Sequence, residues 1–83
     1  MERTQLAILQ TINTDKFFLP LEDLLGRFPN AIGDLKALAE EGYIRPYEKE
    51  QFDFQTDFAE QLKPGPRLSQ KGSDFLVRLQ FLF

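Results

Sequence analysis

Cysteine, histidine and tryptophan are all missing from this 83-residue chain. Without cysteine there is no disulfide framework and no thiol nucleophile. Without histidine there is no imidazole base, and with both absent no Cys/His zinc site. Stability has to come from burial alone. Nine of the eleven aromatics are Phe and the other two are Tyr, so Phe and Leu packing is the expected core. No apolar run approaches the ~20 residues of a membrane span, and Met1 leads into Glu2-Arg3-Thr4 with no apolar signal core. These absences predict a soluble, cytoplasmic protein that is not embedded in a membrane. Eighty-three residues suit one small domain spanning 1–83, since no internal linker or repeat is visible.

Basic side chains are scarce as well. Ten Lys and Arg stand against thirteen Asp and Glu, for a net charge of −3. Residues 1–42 hold four basic and seven acidic side chains, and residues 43–83 hold six of each. Any positive surface is therefore local and lies in the second half.

Catalysis finds little to work with. Glu22-Asp23 and Glu40-Glu41 are neighbours in sequence, and adjacent side chains on a helix point in different directions. The glycine in Pro64-Gly65-Pro66 lacks the amide-rich pattern of a phosphate cradle. Carboxylates alone, at spacings no motif supplies, do not make a metal site. The sequence predicts no enzyme, no catalytic residue, no metal and no cofactor.

What is present is a series of short amphipathic elements. Leu6, Leu9 and Ile12, beside Ala7 and Ile8, recur at helical spacing over Glu2–Asn13. Asn13-Thr14-Asp15 is a polar stop, and Phe17-Phe18-Leu19 suits a small strand or a buried connector. Pro20 opens a second helix, with Glu22 and Asp23 at its positive end and Leu21, Leu24, Leu25 and Phe28 as its apolar face. Gly26 and Pro29 confine it to about two turns. Asn30 is placed to cap a third helix with a stripe of Ala31/Ile32, Leu35, Leu38 and Ala39, ended by Gly42. The gap between the second and third helices is two or three residues, so they cross steeply.

Tyr43–Tyr47 reads as a strand that Pro46 either pushes to an edge or ends early. Phe52 and Phe54 alternate with Gln51, Asp53 and Gln55, which predicts another strand. Thr56–Leu62 suits one or two capped helical turns, and Lys63-Pro64-Gly65-Pro66 a turn. Arg67-Leu68 is a returning strand, and Ser69 caps a last helix over Gln70–Phe83 carrying Phe75, Leu76, Leu79 and Leu82. The Phe52/Phe54/Phe58 group either forms a partner-binding patch or folds the long excursion back onto the core.

Two phrases bracket that excursion: Leu35-Lys36-Ala37-Leu38-Ala39-Glu40-Glu41-Gly42-Tyr43-Ile44-Arg45-Pro46 and Arg67-Leu68-Ser69-Gln70-Lys71-Gly72. In that order and at that separation they resemble the winged helix-turn-helix of small MarR-like and PadR-like bacterial or archaeal regulators. The resemblance covers nearly the whole chain. It implies an α+β fold with a three-helix core, a β-hairpin wing and a C-terminal helix.

It also implies a transcriptional regulator that binds double-stranded DNA as a homodimer. By position, the third helix would turn Asn30, Gly33, Asp34, Lys36 and Ala37 to the groove, of which only Asn30 and Lys36 are plausible contacts. Arg27, Arg45, Lys49, Lys63 and Arg67 would supply phosphate contacts, the last four on or beside the wing. Glu48, Glu50, Asp53, Asp57 and Glu60 share that segment, and the mixed charges also read as an ordinary solvated surface. Phe81-Leu82-Phe83, with Phe75 and Leu79, would form either a dimer seam through terminal helices or an internal contact. Gly33, Asp34 and Ala37 offer no bidentate base-reading donors. A protein partner in place of DNA is the alternative.

Overall fold

The computed structural model describes residues 1–14 and 19–82, apart from the side chain of Leu82. The Asp15, Phe17 and Phe18 part of the expected connector, and Phe83, lie outside the described residues. Among the described residues, five helices and one small sheet follow in the order α1 (Arg3–Thr14), α2 (Leu21–Arg27), α3 (Ala31–Glu40), β1 (Ile44–Arg45), α4 (Phe58–Gln61), β2 (Arg67–Leu68) and α5 (Gln70–Leu82). The domain is α+β. None of the helices is long and apolar enough to cross a membrane among the described residues.

The core forms where the helical stripes meet. Ile8, Leu9 and Ile12 of α1, Leu21 and Leu24 of α2, and Ala31, Leu35, Leu38 and Ala39 of α3 are buried in one cluster with Leu19, Ile44, Leu62 and Leu76. Each fully buried Leu or Ile contributes roughly 1.5–3 kcal/mol relative to exposure. Of the expected Phe and Leu core, the Leu part holds and the Phe part does not among the described residues. Phe28, Phe52, Phe58 and Phe75 are only partly buried and pack around an aliphatic centre. Branched aliphatic chains fill the narrow space between short helices, and the flat rings seal its edges.

Pro20 sits at the N-cap of α2, where its fixed φ of −57° leads into the helix. The Leu21 amide, left unpaired by the helix, donates to the Pro64 carbonyl at 2.9 Å. Leu24 is buried, but Leu25, one position round the helix, is exposed, as is Ile32 beside buried Ala31. The wide apolar faces read from the sequence are thus narrower by one residue each. Asn30 occupies the N-cap of α3 without a side-chain cap hydrogen bond. Its φ of −107° and ψ of 32° lie outside the extended conformation that aims a capping side chain at the helix.

Gly42 ends α3 with φ +82°. Its amide donates to Ala39 O at 3.0 Å and the Tyr43 amide to Leu38 O at 2.9 Å, the paired bonds of a Schellman stop. The chain then enters β1, which pairs antiparallel with β2 in the register Ile44 to Leu68 and Arg45 to Arg67. Two residues per strand is less than the Tyr43–Tyr47 strand expected, because Pro46 has no amide to donate. The expected strand at Phe52 and Phe54 is absent.

Side chains hold the excursion between β1 and β2. Gln61 Oε1 accepts from the Asp53 amide at 2.8 Å, while Gln61 Nε2 donates to Asp53 O at 2.6 Å and Thr56 Oγ1 at 2.7 Å. One glutamine amide thus mimics a strand partner for Asp53. Asp57 caps α4 by accepting from the Ala59 amide at 3.0 Å. The Phe52, Phe54 and Phe58 rings lie 4.9–6.4 Å apart. Phe52 and Phe58 pack on the core, and Phe54 is exposed. The excursion therefore folds back onto the domain.

Candidate functional site

The two signature phrases meet at one place. The Tyr43 carbonyl accepts from the Ser69 amide at 3.1 Å, extending the β1–β2 ladder by one bond. Ser69 Oγ donates to the Gly42 carbonyl and accepts from the Gly72 amide at 3.0 Å, capping α5 as its position predicts. Lys71 Nζ donates to the Glu41 carbonyl and stands 4.6 Å from the centre of the Tyr43 ring. The Tyr43 and Phe75 rings are 5.1 Å apart. The Gly72 backbone lies directly against the Tyr43 carbonyl. Glu41-Gly42-Tyr43 and Ser69-x-Lys71-Gly72 therefore form a clasp that locks α5 onto the end of α3. Their spacing is explained by packing.

The basic residues expected to meet phosphate are divided. Arg45 Nη1 donates to the carbonyls of Pro46, Tyr47 and Lys49 at 3.2–3.4 Å, closing the turn after β1. The Arg67 guanidinium lies over the Tyr47 ring, 5.4 Å from its centre. Lys63 pairs with Glu60 at 3.2 Å, both exposed. Lys49 is exposed and lines a groove of about 520 Å³ with Lys63, Tyr47, Glu48, Asp57 and Glu60. Three carboxylates line that groove with two lysines, so this end of the excursion carries no uniform positive field. Arg45 and Arg67 hold the ribbon and its loop. The sequence signal for this was Pro46-Tyr47, a rigid bend with a ring beside an arginine.

A second group remains free. Arg27 ends α2, and Asn30 and Lys36 stand on the outer side of α3, all three exposed. The one ion pair among the described residues is Lys63–Glu60, so neither Arg27 nor Lys36 is neutralised within them. Between them α3 exposes Ile32, Gly33 and Glu40, with Asp34 and Ala37 half-buried. A side chain added at Gly33 would meet nothing within 4 Å. The outer face of α3 is thus shallow, weakly polar and mixed in charge.

The terminal residues also separate. Phe75 packs on Tyr43 and on the core, and Leu79, one turn on along the same face of the helix, packs on the core as well. Both are partly buried against the core within the molecule. Phe81 is 85% exposed and Val77 is exposed one turn before it. Leu82 and Phe83 fall outside the side chains described. No group of three or more Asp or Glu gathers in a metal-holding arrangement among the described residues. Comparison with protein-family models, curated proteins and solved structures gives no match to this chain.

Proposed function

We propose that this chain is a winged-helix protein whose α3 face recognises another protein. The order of three helices, an antiparallel pair of short strands with α4 between them, and a closing helix supports the winged-helix reading. The observation that carries the choice of partner is the composition of the outer face of α3. Where a base-reading helix needs bidentate donors, this one offers Ile32, Gly33, Ala37 and Glu40 around a single Lys36. Arg45 and Arg67, which a phosphate-gripping wing would extend into solvent, are turned onto their own loop. The net charge of −3 works against a phosphate backbone as well. A shallow face with small residues, where Arg27 and Lys36 stand beside Asp34 and Glu40, suits an apolar-centred protein surface of mixed charge. Nothing in this reading requires a catalytic step.

Site-specific photocrosslinking tests it in the cells that make the protein. A photoreactive side chain at Gly33, where there is open space, is expected to give one discrete protein adduct. Lys36→Glu should abolish that adduct, and the same probe at exposed Thr4 on α1 should not form it. Adducts to nucleic acid alone, or no adduct at Gly33, would contradict the proposal.

DNA is the second reading, and one feature favours it: Asn30, Arg27 and Lys36 are exposed together, with the Asn30 amide not spent on capping. Two cations neutralising two phosphates would give a salt slope of about −1.8 in log–log form.

A further inference from the structure

The outer face of α3 runs on past its last turn into a cleft. This cleft, of about 360 Å³, lies between the start of α1 and the end of α3, walled by Met1, Gln5, Ala37 and Tyr43. Glu40 and Glu41 both line it. Ala37 and Glu40 belong to the α3 face and to the cleft alike, so the two surfaces are continuous. Met1 is 55% exposed, an apolar, flexible thioether chain left beside the half-buried Tyr43.

Charge indicates what enters it. Glu40 closes α3 and Glu41 is its C-cap, so both carboxylates stand where the helix carbonyls already gather negative charge. The last turn of α3 has no basic residue to offset them. Lys71 reaches the Glu41 carbonyl, not its carboxylate. The one ion pair among the described residues is Lys63–Glu60, so neither Lys71 nor the Met1 ammonium pairs with these glutamates. An apolar wall beside two uncompensated carboxylates fits a side chain with a long apolar stem and a cationic head. Lysine and arginine both have that form. Arginine suits the place better, because its weakly hydrated, planar guanidinium carries five donors and can serve two carboxylates at once.

We infer that the cleft at the end of α3 receives an arginine side chain of the protein partner. Its stem lies along Met1, Ala37 and Tyr43, and its guanidinium meets Glu40 and Glu41. Lys36 precedes Glu40 by one turn, about 5.4 Å along the axis. The partner therefore carries a carboxylate at that distance from its arginine, and the two opposite charges fix the direction in which it lies on α3. The inference rests on the protein-recognition reading of α3 and gives that partner its chemistry.

Two measurements test it. In the first, chemical shifts of the labelled protein are followed against N-acetyl-arginine amide, with N-acetyl-citrulline amide as its uncharged twin. The arginine compound is expected to shift the Met1 methyl and the amides of Ala37, Glu41 and Tyr43, saturating on the order of tens of millimolar. The citrulline compound should bind about tenfold more weakly. Glu22-Asp23, also exposed but at the positive end of α2, is the internal control and should shift about threefold less. In the second, the photocrosslinked adduct at Gly33 should fall about tenfold or more when Glu40→Lys and Glu41→Lys are combined. Cations suit the end of a helix, so this variant should melt no lower than the unaltered chain. Citrulline binding as well as arginine, or Glu22-Asp23 shifting as much as the cleft, would overturn the inference. An adduct that persists in the double variant would overturn it too, while leaving protein recognition by α3 standing. No adduct at Gly33 in the unaltered chain would remove that recognition and the partner's arginine with it.

Discussion

Gly72 in the first turn of α5 lies against the Tyr43 carbonyl so closely that a side chain at this position would overlap that oxygen. The carbonyl cannot withdraw easily, because it also accepts from the Ser69 amide. Any larger residue must push α5 away from the end of α3. We expect Gly72→Ala to destabilise the fold by about 1–3 kcal/mol, the cost of overpacking. Gly42→Ala should cost about 1–2 kcal/mol for its left-handed backbone alone. Chemical denaturation of the two variants would separate crowding from conformation.

Ser69 joins two duties in one hydroxyl, donating to Gly42 and accepting from Gly72. Ser69→Ala removes the cap and leaves both backbone groups to water. A loss of about 1 kcal/mol is expected. Ser69→Asp keeps the acceptor at the helix N-terminus but cannot donate to the Gly42 carbonyl. It should recover part of that loss, as measured by denaturant midpoint.

Gln61 holds the excursion between β1 and β2 through its amide. Its partners on Asp53 and Thr56 are exposed, so water can replace them when the amide is removed. Gln61→Leu should therefore change global stability by less than about 1 kcal/mol. The local effect should be larger: hydrogen exchange at the Asp53 amide is expected to accelerate while the amides of α3 keep their protection.

Leu62 is the opposite case. It is fully buried in the common core, at the end of α4. Truncation leaves a cavity in the common core. Leu62→Ala should cost about 2–5 kcal/mol and lower the thermal midpoint of the whole domain. A loss confined to the excursion would mean that this segment is not docked on the core.

The parts of this fold that were legible in sequence are those set by local chemistry. The Gly42 stop follows from glycine's freedom to take positive φ, the Ser69 cap from its hydroxyl, and Pro20 at the mouth of α2 from its fixed φ. The helical stripes were legible as well, apart from Leu25 and Ile32, where neighbouring apolar residues hid which of the two faced inward. The alternation of Phe52 and Phe54 misled, because a glutamine eight residues beyond Asp53 supplies the bonds that a neighbouring strand would have made. No local pattern carries that information.

The candidate site was less legible for a related reason. Arg45, Arg67 and Lys63 read as free charges in the sequence, and only tertiary contacts reveal what each one faces. Phe75, Leu79 and Phe81 share one helix and one hydrophobic character, and their separation into inner and outer faces needed the helix to be docked. The two signature phrases were read as marks of a fold family. Their spacing follows from the clasp around Tyr43, which any partner, protein or nucleic acid, would leave unchanged.

Chemical-shift mapping of the labelled protein against a random-sequence DNA duplex at low ionic strength tests the recognition reading most directly. The account predicts no shifts along Asn30–Lys36, and none at Arg45 or Arg67. Salt-sensitive shifts centred on Arg27, Asn30 and Lys36 would contradict it and return the α3 face to DNA.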